Sequence, residues 1–255
     1  MSEIVRGSTR PTPPQVSTAT VIMVHGAWHG AWAFDKVLPL LAASDVPALA
    51  VDLPGHGNSK ESFTDLHGDA RLVSQILDGI DGNVVLVGHS YGGAVITEAG
   101  VHDAVTRLVY LCANVPDPDE ETAASGDLAV TMARGARPAF ADAVLSHPDG
   151  TLTLDPEIAA ACLYNDCDDE TVAWALARLG SHPSLNLLQQ PTTVAWRSTP
   201  STYVLCRNDQ TVHPRIQRQM ANRCTFVVEW DTGHSPFASQ PQLVADLLAS
   251  LARAG

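Results

Sequence analysis

The chain has 255 residues, with 15 Lys and Arg against 28 Asp and Glu, a formal net charge of -13. Hydrophobic residues make up 45% and charged residues 17%; the composition is globular, and the length allows one large domain or two small ones. The negative balance repels phosphate backbones and anionic membrane surfaces, so neither nucleic acid nor a membrane is an expected partner. In chain order, residues 1–18 are polar, carry Pro11, Pro13 and Pro14, and read as a flexible tail without the apolar core of a signal peptide. Six short apolar runs follow, at 20–24, 47–51, 84–88, 107–112, 202–206 and 225–230. Each is continuous rather than alternating, as strands buried on both faces should be. The longest apolar stretches, such as Val84–Val87 and Leu108–Ala113, fall far short of the ~18 residues that span a bilayer.

Between the second and third runs Leu66, Ala70, Val73, Leu77 and Ile80 recur at helical spacing, with Thr64 as the expected N-cap. Pro241 to Ala254 places proline at a helix start and aligns Leu243, Leu247, Leu248 and Leu251 on one face. Strands alternating with helices predict an α/β fold, a mostly parallel sheet covered on both sides. Residues 115–198 break the rhythm, with about three helix-like segments, 156–165 and 169–180 among them, and no convincing buried strand. They read as a helical cap between two parts of a core, 19–114 and 199–255, lying over the sheet edge where ligands of open α/β sheets bind. Five cysteines, Cys112, Cys162, Cys167, Cys206 and Cys224, form an odd set without a CxxC pair. Three of them sit in apolar strand-like runs, where a buried free thiol is expected, and a cytoplasmic location follows as the expectation.

The strongest chemical signal is Gly88-His89-Ser90-Tyr91-Gly92, preceded by the strand-like Val84–Val87 and followed by the helix-forming stretch from Ala94 to Val101. A sharp strand-to-helix turn exposes a serine at the sheet edge, and glycines on either side let neighbouring backbone pass. Ser90 is therefore the candidate nucleophile. A serine hydroxyl needs a base to take its proton, and His234 follows the 225–230 run in Asp231-Thr-Gly-His-Ser-Pro236. His89 lies in the turn itself and should point away from the Ser90 side chain. His25 suits a loop that stabilises an oxyanion. His56, His67, His102, His147, His182 and His213 read as solvated or capping. The orienting acid should follow a strand between serine and histidine, as Asp209 does. Asp117 and Asp119, after the 107–112 run, are rivals, and Asp231 is too near His234 along the chain to reach it comfortably. The tetrahedral intermediate needs two donors, expected to be the backbone N–H groups of Tyr91 and of Ala27 in the loop after the first strand.

These motifs resemble the α/β-hydrolase superfamily, and within it the group of plant methyl-salicylate esterases, bacterial pyrethroid-type esterases and hydroxynitrile lyases. The matching pieces are His25-Gly-Ala-Trp-His-Gly-Ala-Trp32, Asp52-Leu-Pro-Gly-His-Gly57, Gly88-His-Ser-Tyr-Gly-Gly93, Tyr203-Val-Leu-Cys-Arg-Asn-Asp209 and Gly233-His-Ser-Pro236. Lyases of this group have Thr after the first-strand His and Lys after the catalytic His; here Gly26 and Ser235 stand there. The resemblance thus implies a carboxylic-ester hydrolase with a small-molecule ester as its partner, needing no metal and no organic cofactor. A homodimer is the default assembly. The acidic 166–170 run reads as a helix start rather than a metal site. Trp28, Phe140, Leu145, Leu163, Tyr164, Trp174 and Trp196 are the candidate pocket lining under the cap, and Trp32 a core residue. A mainly apolar pocket would favour medium-sized hydrophobic esters. A lyase, a cofactor-free dioxygenase and a slow-turnover receptor on the same fold are the alternatives.

Overall fold

The computed structural model describes residues 18–119 and 138–254. The expected tail therefore lies almost wholly outside the described residues, as does the cap stretch 120–137. The six apolar runs form six strands: β1 (Thr20–Val24), β2 (Ala48–Val51), β3 (Val84–His89), β4 (Val105–Leu111), β8 (Ser201–Cys206) and β9 (Phe226–Trp230). They pair in the order β2-β1-β3-β4-β8-β9, every neighbouring pair parallel. β3 and β8, inside the sheet, are buried along their whole length, which accounts for their unbroken hydrophobicity.

Helices α1 (Leu38–Ala43), α2 (Leu66–Asp78) and α3 (Gly92–Ala99) connect the first four strands. α2 starts after Asp65, whose carboxylate accepts from the Gly68 N–H at 2.8 Å. Asp65, not Thr64, is therefore the N-cap; the Thr64 hydroxyl donates to Asp69 instead, at 2.7 Å. The Pro-initiated helix expected near the C-terminus is present as Pro241–Arg253. Because all six strands run the same way, the loops after β1, β3, β4, β8 and β9 open on one edge of the sheet, the edge that carries ligands in this architecture.

The interval between β4 and β8 is not all helical. Helices α4 (Pro138–Ala143), α5 (Pro156–Leu163) and α6 (Asp169–Leu176) share it with β5 (Val144–Ser146), β6 (Thr151–Leu154) and β7 (His182–Pro183). These strands form a small antiparallel sheet in the order β5-β6-β7. They are two to four residues long and only Leu152 and His182 in them are buried, so no buried apolar run announces them. The β5–β6 turn does follow local chemistry, with Gly150 at φ +83° and the Asp149 carboxylate accepting from Thr151 N–H at 3.0 Å. The acidic run caps helix α6, Asp168 accepting from Thr171 N–H at 2.7 Å. α7 (Pro214–Ala221), α8 (Pro236–Ser239) and α9 (Pro241–Arg253) complete the chain. Among the described residues no helix is long and apolar enough to cross a membrane, and the five cysteines form no disulfide.

Candidate active site

Ser90 sits between β3 and α3 at φ +50°, a left-handed conformation that a serine adopts only when its surroundings impose it. The constraint is visible at the flanking glycines. A Cβ on Gly88 would come 2.5 Å from the Gly92 carbonyl oxygen, and one on Gly92 would come 2.5 Å from that of Val24. No side chain fits at either place, and the turn can be as tight as it is only with glycine there.

His234 lies in the loop after β9 and is buried, as is Asp209 after β8. The His234 Nδ1–H donates to Asp209 Oδ2 at 2.7 Å. The same oxygen accepts from the Gln217 side chain at 2.8 Å, and Oδ1 accepts from the N–H groups of Thr211 and Val212 at 2.7 and 2.8 Å. Four donors thus converge on one carboxylate. The His234 main chain is held from behind, its carbonyl accepting from His89 Nε2–H at 2.9 Å and from the Cys112 thiol at 3.2 Å. His89, Cys112 and His234 also bring donor atoms within 4.8 Å of one another, but the first two spend their hydrogens on that carbonyl.

Two peptide groups are pinned in the same manner. The Gly26 carbonyl accepts from His25 Nδ1–H at 2.8 Å and from the His29 N–H at 3.3 Å. The Ser90 carbonyl accepts from Gly93 N–H at 3.0 Å and Asn114 N–H at 2.9 Å. In a trans peptide the C=O and the following N–H point opposite ways, so these bonds aim the N–H groups of Ala27 and Tyr91 away from them. Neither N–H donates to a protein group among the described residues. Ala27, Ser90, Tyr91 and His234 all line one cavity of about 110 Å³.

A profile of the alpha/beta hydrolase family matches residues 21–247. The chain belongs to the alpha/beta hydrolase family. It is 29% identical over 249 residues to alpha/beta hydrolase nvfD of Aspergillus novofumigatus, covering 91% of this chain and 96% of that protein. It is 28% identical to methylesterase 8 of Arabidopsis thaliana, covering 91% and 88%. Among solved structures it resembles a pyrethroid hydrolase of Sphingobium faniae, with a TM-score of 0.79, 26% identity, and coverage of 93% and 98%.

The remaining wall of the hydrolase cavity is mostly apolar. Trp28, Phe140 and Leu163 line it; Leu145, Tyr164, Trp174 and Trp196 do not. Leu145 is 46% exposed on β5, the edge strand of the small sheet. The Tyr164 hydroxyl donates to His29 Nε2 at 2.8 Å, one layer behind the wall. Trp174 packs edge-on against Trp32, ring centres 5.3 Å apart, on the outer face of α6, which leaves Trp32 half-buried rather than in the core. Trp196 Nε1–H donates to the Pro116 carbonyl at 3.1 Å. Aromatic character alone did not distinguish cap packing from cavity wall. His29, Asn114, Leu187, Thr211, Val212 and Ile216 complete the lining. None of these is among the lining residues expected from the sequence; the closeness of 211–216 to Asp209 along the chain is a signal that could have placed that segment, whereas Leu187 carried none.

The other histidines and acids are occupied elsewhere. His56 and His182 are buried, contrary to the solvated role expected of loop histidines. His56 Nδ1–H donates to the Pro54 carbonyl at 2.9 Å, so its Nε2 accepts from His182 Nδ1–H, also at 2.9 Å. Burial lowers the pKa of both. His29 is likewise pushed down to about 4 by burial. His67 and His102 face Glu98 and Asp78, His147 faces Thr153, and His213 caps α7. Asp117 and Asp119 both pair with Arg197 at 2.6 Å, and Asp231 pairs with Arg207 at 2.8 Å.

Proposed function

We propose that the chain is a carboxylic-ester hydrolase that forms an acyl-enzyme on Ser90, with small to medium hydrophobic esters as substrates. The observation that carries this reading is the buried 2.7 Å hydrogen bond between His234 and Asp209, beside a serine held at φ +50° on the same cavity. The carboxylate keeps the proton on Nδ1, which leaves the Nε2 lone pair of His234 to take the Ser90 proton. As Ser90 attacks the acyl carbon, the Asp209 charge steadies the imidazolium. The N–H groups of Ala27 and Tyr91 receive the charge that develops on the carbonyl oxygen. His234 then protonates the leaving alcohol and activates the water that releases the acid. The apolar wall of Trp28, Phe140, Leu163, Leu187 and Ile216 favours uncharged, hydrophobic groups. The similar proteins, a methylesterase and a pyrethroid hydrolase, point to ester chemistry as well.

Position 26 argues against the lyase alternative. A Cβ there would meet Ser90 Cβ at 2.9 Å and His89 Nδ1 at 2.8 Å, so a hydroxyl-bearing side chain has no room on this backbone. Ser235, where lyases of this kind carry Lys, is buried and brings no cation. The deciding experiment is hydrolysis of a p-nitrophenyl ester series by the purified protein, with Ser90→Ala assayed alongside. Turnover that is lost in the variant is the expected result. A wild type that neither turns over these esters nor is labelled at Ser90 by a fluorophosphonate would overturn the reading.

A further inference from the structure

Tyr91 has two functional ends. The residue lines the cavity and its backbone N–H donates to no protein group among the described residues, while its ring is buried in a polar cluster that the chemistry above does not use. The Tyr91 hydroxyl donates to Asp69 Oδ2 at 2.6 Å. The Asn186 side-chain amide donates to the same oxygen at 3.0 Å and to the Tyr91 hydroxyl at 3.2 Å. On the other oxygen, Asp69 accepts from the Thr64 hydroxyl at 2.7 Å. The His182 ring packs edge-on against the Tyr91 ring, centres 4.6 Å apart. The cluster therefore joins α2, the turn that carries Ser90, and the 3-10 turn Ser184–Leu187, whose last residue lines the cavity.

A buried carboxylate is an expensive way to hold a phenol. Asp69 is fully buried, and burial raises its pKa to about 6 even though three hydrogen bonds pull the other way. A neutral amide of the same shape would accept from Tyr91 at a smaller desolvation cost. What the charge adds is strength and direction: hydrogen bonds to a carboxylate are shorter and roughly twice as strong as neutral ones, and 2.6 Å falls in that range. A tyrosine ring has only two side-chain torsions, so anchoring its hydroxyl also fixes its Cα and the amide attached to it.

We infer that Asp69, together with Asn186, is a positioning residue that grips Tyr91 by its hydroxyl and so holds the Tyr91 amide where the oxyanion forms. The inference rests on the ester-hydrolase reading. A donor fixed in advance needs no reorganisation as charge develops, and the anchor matters most in the transition state.

The test uses the full-length protein and its isosteric variants Tyr91→Phe and Asp69→Asn, with p-nitrophenyl butyrate as substrate. Two inhibitors report on geometry: a trifluoromethyl ketone, which forms a tetrahedral adduct with the serine, and butyrate, a planar product. Tyr91→Phe is expected to lower kcat about tenfold with KM within about twofold, less than the 10²–10³-fold loss when an oxyanion donor is removed outright. Ketone inhibition should weaken by about the same factor while butyrate inhibition holds. Asp69→Asn should fall between wild type and Tyr91→Phe. Wild-type kcat in both variants, with Ser90→Ala inactive, overturns the inference and leaves the ester-hydrolase reading standing. Equal losses for ketone and butyrate overturn it as well, because they mark a general structural role. A wild type inert to both ester and ketone overturns the two readings together.

Discussion

Asp209 is held on both oxygens before any substrate arrives, which makes its replacement informative at the scale of single residues. Asp209→Asn puts an amide where one of these oxygens accepts, and so favours the His234 tautomer with its proton on the wrong nitrogen. A fall of about 10⁴-fold in kcat is expected, measured by steady-state hydrolysis, with the fold retained by circular dichroism. Gly26 offers a different kind of test. In Gly26→Thr the new Cβ would lie 2.9 Å from Ser90 Cβ, so the loop carrying Ala27 must move. Displacing an oriented donor by about 1 Å can cost on the order of 10²-fold. We expect a loss of that size in kcat/KM for esters, and no cleavage of cyanohydrins in its place; appearance of lyase activity would contradict the steric argument.

Helix α2 shows how caps and charges act on a whole element. Asp65 satisfies the Gly68 N–H at the helix start, and Asp65→Ala should remove about 1 kcal/mol. For a chain of this size that is a drop of about 2–4 °C in Tm, read by thermal melting. One turn on, Asp69 binds its proton more tightly in the folded protein, at about 6 against 3.8. Its effect on stability is therefore most favourable below about pH 4 and is lost as the pH rises to about 6. Roughly two units correspond to about 3 kcal/mol. Asp69→Asn has no such dependence, so stability at pH 5 relative to pH 8, read from denaturant midpoints, should be lower in the variant than in the wild type, where the buried His29, His56 and His182 act in the opposite sense. An unchanged difference would mean that another group carries the pH dependence.

The whole molecule carries a net charge of -13, and Ser90 and His234 line the same cavity. That field opposes the approach of anions over about a Debye length, ~10 Å at 0.1 M salt. For a pair of esters matched in size, kcat/KM for the anionic one should rise as salt is increased from 10 to 300 mM. For the neutral ester it should change little. A parallel response of the two would mean that the cavity mouth is shielded from the global charge.

Much of this organisation was readable along the chain. Hydrophobic continuity located six strands to within one or two residues; burial along the whole length explains it for β3 and β8, whereas the edge strands depart from the expectation, β2 being only partly buried and β9 mostly exposed. Ser90, Asp209 and His234 were each marked by a strand immediately before them, a local signal. What escaped has a common cause. Strands β5 to β7 are too short, and too nearly without buried residues, to leave a periodic trace. Leu145, Tyr164, Trp174 and Trp196 were indistinguishable from wall residues until their partners were known. The buried His56–His182 pair joins residues 126 apart, and the Tyr91–Asn186 contact residues 95 apart. Periodicity and motif spacing report on neighbours within a few residues of the chain. The sequence by itself therefore determined the fold class and the strands that precede Ser90, Asp209 and His234. Only the tertiary structure decided which side chains share the cavity and which buried groups brace it, because hydrogen bonds and packing depend on distances in space that the chain's order does not contain.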